Sequence, residues 1–194
     1  MGSNKITITH MDEMIIKEKI IIAIETLFSN DSWLLVKNIN ERSITHKLAE
    51  YMQPLFQNYN IDCEYNGDIF SKTAQKRISF LIDELKQKGI KLTKKEVIKT
   101  DSEFTDRFVF PDIIIHKRGK SDNNLCIIEV KKTTSNVPPE YDKIKLQAYT
   151  SDRYGNDLKY KIGVFIEFKS GTNDLGCKIK YFTNGIETNC CTIQ

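Results

Sequence analysis

Three residues have the types and the spacing to do chemistry together: Asp112, Glu129 and Lys131. Glu129 and Lys131 stand two apart in the run LCIIEVKK, residues 125–132. Side chains alternate faces along a strand, so the two share a face. Asp112 belongs to a second Ile-rich run, FVFPDIIIH at residues 108–116, separated from the first by a Gly/Ser/Asp/Asn cluster. Two β-prone runs around such a cluster predict a β-hairpin with a loose turn over residues 108–132. Pro111 cannot donate to a sheet ladder, so a bend is expected just before Asp112. Two carboxylates and one ammonium then converge on one patch. Like charges held that close need a cation, and hard oxygen ligands with room for water suit Mg²⁺ or Mn²⁺. The bland alternative is a surface hairpin with one ion pair, from Lys131 to Glu129 or to Asp112. Burial among Ile113–Ile115 and Ile127–Ile128 argues against it, because an isolated ion pair gains little there.

The order Pro111-Asp112, then Glu129-Val130-Lys131, resembles the PD-(D/E)XK motif of restriction-endonuclease-like phosphodiesterases. The resemblance spans residues 41–168. It implies a mixed-sheet α/β fold with an α-β-β-β-α-β core flanked by helices. It also implies Mg²⁺-dependent hydrolysis of a phosphodiester in DNA. Asp112 and Glu129 would hold the metal, with the Val130 carbonyl as a further ligand. Lys131 would orient water and offset charge developing on the phosphate. In this superfamily the helix before the sheet often supplies an acid, and ERSITHKLAEY resembles that helix, which assigns the role to Glu41. The helix after the motif lysine often carries a polar residue and a Tyr, which here are Lys145 and Tyr149, four apart and so on one helix face. The expected activity is that of a metal-dependent DNA endonuclease, in restriction or other anti-phage defence. The alternatives are a repair or junction-resolving nuclease and a non-catalytic nucleic-acid-binding descendant of the fold. About forty residues, 67–107, separate the first strand from the second and depart from the minimal pattern. They form an insertion, read either as a nucleic-acid-facing arm carrying Lys91, Lys94 and Lys95 or as a lid on the sheet edge.

The elements that must position these groups follow from periodicity. A helix is expected over residues 11–28, ended by Ser29-Asn30-Asp31, with packing as its role and a homodimer contact as the alternative. A second spans 38–56, with Asn40 as N-cap and Ile44, Leu48, Met52 and Leu55 as its apolar stripe. Glu41 falls on that stripe, an odd place for a carboxylate without a partner. Arg42 and His46 are expected at the surface. A strand is predicted over 61–66, with Asp62 and Glu64 on a solvated face, and a helix over 72–88 closed by Gly89. Another helix covers 140–153. A buried strand covers 162–168, and an edge-like strand with outward lysines covers 178–182. The tail from 185 to 194 carries no signal.

The chain has 194 residues, 40% hydrophobic and 28% charged, with a formal net charge of +3 and a pI near 8.5. This fits one domain over residues 1–194. The charge is less basic than the pI above about 9 expected of a nucleic-acid-binding domain. Five cysteines, an odd number with no C-x-x-C pair, argue against zinc and a disulfide framework. Cys63 and Cys126 are expected to be buried small hydrophobes. No secretory signal pattern and no apolar run near 18–20 residues is found, so a cytoplasmic protein with no membrane association is expected. No nucleophilic Ser/His/Asp or Cys/His arrangement and no phosphate-binding glycine loop is present.

Overall fold

The computed structural model describes residues 11–67, 75–91, 97–100, 103–119 and 124–194, with the backbone alone for 97–100. The fold is mixed α/β, and its described residues form four helices and nine strands. In chain order these are α1 (Glu13–Val36), α2 (Glu41–Met52), β1 (Asn60–Cys63), β2 (Arg77–Leu81), α3 (Ile82–Gln87), β3 (Val97–Thr100), β4 (Phe104–Phe108), β5 (Ile113–His116), β6 (Cys126–Lys132), α4 (Glu140–Tyr149), β7 (Ile162–Phe168), β8 (Cys177–Thr183) and β9 (Ile186–Ile193). Six strands make the central sheet in the order β1-β5-β6-β7-β8-β9, and β2-β4-β3 make a second, smaller sheet. Only β6 and β7 run parallel among these pairs, with α4 as their crossover.

Each face of the central sheet has its own core. Ile113, Ile115, Ile128, Val130, Val164 and Ile166 pack with α1 and α2 on one side. Ile114, Ile127 and Phe165 pack with Ile144, Leu146 and Tyr149 of α4 on the other, where Ile78 and Phe80 of β2 also join. Strands covered on both faces read as near-continuous apolar runs. Glu129 and Lys131 are the charged breaks in that pattern, and they lie on the α4 side with Ile127.

Several elements differ from the sequence expectation. The first helix does not stop at Ser29: it continues to Val36 through a single non-helical residue, Asp31 (φ −130°, ψ 26°). The Asp31 carboxylate accepts from the Tyr51 hydroxyl of α2 at 2.5 Å, which ties the kink down. Asn40 caps α2 as expected, its Oδ1 accepting from Ser43 N at 2.9 Å. That helix is shorter than 38–56: it ends at Met52, and Pro54 lies in a 3₁₀ turn, Gln53–Phe56. The expected helix over 72–88 is a strand, β2, followed by the six residues of α3. Residues 72–74 lie outside the described set. Ile78 and Phe80 alternate with half-exposed neighbours and face a core, so the period of two prevails over a helical reading of Ile78, Leu81, Ile82 and Leu85. Gly89, at φ +68°, does close the helix: its N–H reaches Lys86 O, and Ile90 N–H reaches Leu85 O, both at 2.9 Å.

Phe108 does not share a strand with Asp112. It ends β4, and β5 begins only at Ile113, beyond Pro111 and a bend at Asp112. The helix over 140–153 ends at Tyr149. The strand over 178–182 is not an edge, because β9 pairs along it and uses the tail residues that carried no signal. Cys126 is buried as expected, whereas Cys63 is exposed. No helix among the described residues is long and apolar enough to cross a membrane.

Candidate functional site

The register of the β5–β6 pair builds the site. Ile114 lies opposite Ile127 and Ile113 opposite Ile128, and the ladder ends there, which leaves Asp112 at the end of β5 beside the Glu129–Lys131 end of β6. Asp112 stands just outside β5, where the bend after Pro111 frees its side chain to reach across. Its Oδ2 accepts from the Val130 N–H at 2.7 Å. The motif acid is thus fixed to the backbone of the residue between Glu129 and Lys131.

Helix α4 brings the counter-charges. Lys145 Nζ donates to Glu129 Oε2 at 2.8 Å and lies 2.9 Å from Asp142 Oδ1. Lys131 Nζ lies 3.1 Å from Asp142 Oδ2 and 3.9 Å from Glu41 Oε1. The result is a chain of alternating charge, Glu129–Lys145–Asp142–Lys131–Glu41, with Asp112 beside it. Glu129, Asp142 and Lys145 are 1%, 8% and 8% exposed. Glu129 Oε1 is buried with no hydrogen-bond partner. Tyr149 is fully buried one turn beyond Lys145, and its hydroxyl has no hydrogen-bond partner either.

Glu41 reaches the same strand end from the other layer. Its Oε2 accepts from the Lys132 N–H at 2.8 Å, so its contacts are with Lys131 and Lys132 rather than with Asp112 or Glu129. Lys132 reinforces the junction, its ammonium donating to the carbonyls of Asn38 and Ile39 at 3.3 and 2.8 Å. Arg42 and His46 are exposed, as expected. Asp62 is not on a solvated face: it bonds His116 Nε2 at 2.8 Å and pairs with Arg118, away from the site. Glu64 pairs with Arg42 at 2.7 Å. Lys91 is exposed, while Lys94 and Lys95 lie outside the described residues. The insertion packs on α4: Phe80 and Arg107 both meet the Tyr141 ring, at 5.9 and 5.4 Å.

Asp142 is the site residue that motif reasoning misses. The signal was present, since Asp142, Lys145 and Tyr149 follow at i, i+3 and i+7 and share a helix face. An acid in the first turn of α4 also suits the helix dipole and so reads as ordinary.

Burial dominates the electrostatics. Desolvation pushes the Asp112 carboxyl up to about 6, against the opposing pull of the Val130 N–H and of Lys145. It raises Glu129 well above the usual range despite Lys145. Burial alone would lower the Lys145 ammonium, but Glu129 and Asp142 outweigh it and hold the proton on. Desolvation of Lys131 is likewise outweighed, first by Asp142. Among the described residues, no group of three or more His, Cys, Asp and Glu side chains is arranged to hold a metal ion. Two features nonetheless fit a cation: the unpartnered Glu129 oxygen, and two carboxylates, Asp112 and Glu129, close enough to raise Glu129 and made reluctant to ionise by burial.

A pH dependence follows for the metal-free protein. The folded pKa of Asp112, about 6, lies above its ordinary value of 3.8. Its favourable contribution is therefore complete below pH 3.8 and is lost as the pH rises through 6. Asp112→Asn keeps an acceptor for the Val130 N–H and cannot ionise. In EDTA, the stability of Asp112→Asn relative to wild type should rise by about 2 kcal/mol between pH 4 and pH 8. Chemical denaturation at both pH values measures this, and a flat difference would show that Asp112 titrates normally.

No protein-family model matches the chain, and neither a curated protein nor a solved structure matches it.

Proposed function

We infer that this protein is a metal-dependent DNA nuclease of the restriction-endonuclease-like type, acting in the cytoplasm. The observation that carries the reading is the Asp112 carboxylate bound to the Val130 N–H, between Glu129 and Lys131, which share one face of β6. The helix–strand–hairpin–helix–strand order from α2 to β7 agrees with it. Asp112, Glu129 and the Val130 carbonyl would hold Mg²⁺ or Mn²⁺, which when bound polarises a phosphate and supplies hydroxide near neutral pH. The protein's own share is positioning and charge. The Asp112–Val130 bond sets the height of one carboxylate, Lys145 holds the Glu129 head in place, and Lys131 presents an ammonium to the phosphate oxygens. Asp142 and Glu41 orient Lys131 from either side.

Incubation with supercoiled, linear and single-stranded DNA, with Mg²⁺ and with EDTA, tests the reading. Cleavage should occur only with metal. Mg²⁺ at a hundredfold over its Kd should also raise the Tm by about 5–10 °C. Glu129→Gln should abolish that gain. Equal gains in wild type and variant would put the ion elsewhere.

A second reading rests on one specific feature. Lys145 and Lys131 together already balance Glu129 and Asp142 without any metal, as a permanently ion-paired core would. On that reading the chain is a non-catalytic nucleic-acid-binding member of the fold, and the cleavage assay returns nothing while binding persists.

A further inference from the structure

A cavity of about 500 Å³ opens beside Asp112, bounded by α2, the end of α1 and the outer strand β1. Its wall is mostly apolar and includes Leu34, Thr45, His46 and Cys63. The charged groups on the wall are largely engaged. Arg42 pairs with Glu64 at 2.7 Å, Lys47 with Glu50 at 2.9 Å, and Asp31 holds the Tyr51 hydroxyl. A phosphate inside would meet Asp31, Glu64 and Asp112, so the cavity suits a neutral, flat group with hydrogen-bonding edges. Its volume falls in the roughly 300–1,000 Å³ range of small-molecule sites.

We propose that this cavity receives an unpaired nucleobase, with its sugar, from the strand whose phosphate lies at Asp112 and Glu129. The proposal rests on the nuclease reading above and narrows its substrate. Asp112 belongs both to the cavity and to the charged site, so adjacent nucleotides of one strand would occupy the two. His46 presents an exposed ring on which a base can stack. The Arg42 side chain is 84% exposed and can turn its remaining donors to the neighbouring phosphate. A base inside a duplex is paired and stacked and cannot enter such a cavity without leaving the helix. The substrate class is therefore DNA with an unpaired nucleotide beside the scissile bond: a single strand, a flap or an open junction arm.

Cys63 reports occupancy, because it is exposed and lines the cavity. Cys190 is exposed on β9, outside the cavity lining, and serves as the internal control. The wild-type protein is treated with N-ethylmaleimide in EDTA, and peptide mass mapping gives the rate at each cysteine. A saturating single-stranded oligodeoxynucleotide should slow modification of Cys63 at least tenfold and leave Cys190 unchanged, while a blunt duplex of the same sequence should not protect. His46→Ala should weaken single-strand affinity about tenfold, the loss of one base stack. Equal Cys63 rates with and without the oligonucleotide, or equal protection by the duplex, would overturn the proposal. Metal-dependent cleavage without protection removes the cavity assignment alone. Protection without cleavage under any metal keeps the cavity and removes the nuclease.

Discussion

Lys131→Ala should lower the rate of DNA cleavage by roughly 10²–10³-fold while leaving DNA affinity within a few-fold. The Lys131 ammonium stays protonated, since Asp142 and its acidic neighbours outweigh its desolvation. It is held 3.1 Å from Asp142, so its position is set before any substrate arrives. A fixed charge of this kind stabilises negative charge that grows on the phosphate during the reaction more than charge already present in bound DNA. It therefore acts on rate rather than on affinity. The lysines of the insertion should behave in the opposite way. If exposed Lys91, or Lys94 and Lys95, contact phosphates, neutralising them should weaken binding and flatten its salt dependence without changing the rate of the bound complex. Single-turnover rates and binding constants at two salt concentrations separate the cases. A Lys131→Ala protein that keeps its rate and loses only affinity would make Lys131 a phosphate anchor and sink this mechanism.

The centre of the molecule was legible because its chemistry is local. The bend after Pro111 leaves Asp112 just outside the paired Ile-rich runs, where its carboxylate meets the Val130 N–H, and a period of two fixes the face that Lys131 shares with Glu129. Strand β7 was legible for a similar reason, its run being apolar but for Glu167. The insertion was not. Ile78, Leu81, Ile82 and Leu85 satisfy a helical spacing, yet β2 and then α3 divide them, because pairing with β4 and packing on α4 outweigh local periodicity. Helix α1 ran past its apparent stop because a tertiary partner, Tyr51, engages Asp31 at the kink. Among the described residues strand β9 pairs with β8, a partner that no local pattern in residues 186–193 announces.

Asp142 shows where motif reading ends. Asp112, Glu129, Lys131 and Lys145 are recognisable by type and place, but the charge chain runs through an α4 acid whose significance appears only when the crossover helix is laid on the sheet. Lys145→Met should test that chain most severely. Methionine approximates the length of the side chain and removes the charge 2.8 Å from Glu129 and 2.9 Å from Asp142, leaving Glu129 without its cation while Asp142 keeps Lys131 at 3.1 Å. Removing one partner of a buried ion pair costs about 3–5 kcal/mol. The sign with pH is set by Glu129. Burial already raises its folded pKa well above the ordinary value, and loss of Lys145 raises it further. A raised carboxylate pKa contributes stability below its unfolded value and loses it as the pH climbs through the folded one, so the deficit should be small near pH 4 and largest at pH 8. Metal then distinguishes the two functional readings. If Glu129 and Asp112 hold Mg²⁺, the ion replaces the missing ammonium. Lys145→Met should then recover more stability from Mg²⁺ than wild type does, and should bind it more tightly because Lys145 no longer competes. Denaturation of both proteins at pH 8, in EDTA and in Mg²⁺, supplies the comparison. Equal gains would make Lys145 a permanent counter-ion and favour the binding protein over the nuclease, and a variant as stable as wild type at pH 8 in EDTA would mean that Glu129 is not ionised in the folded chain at all.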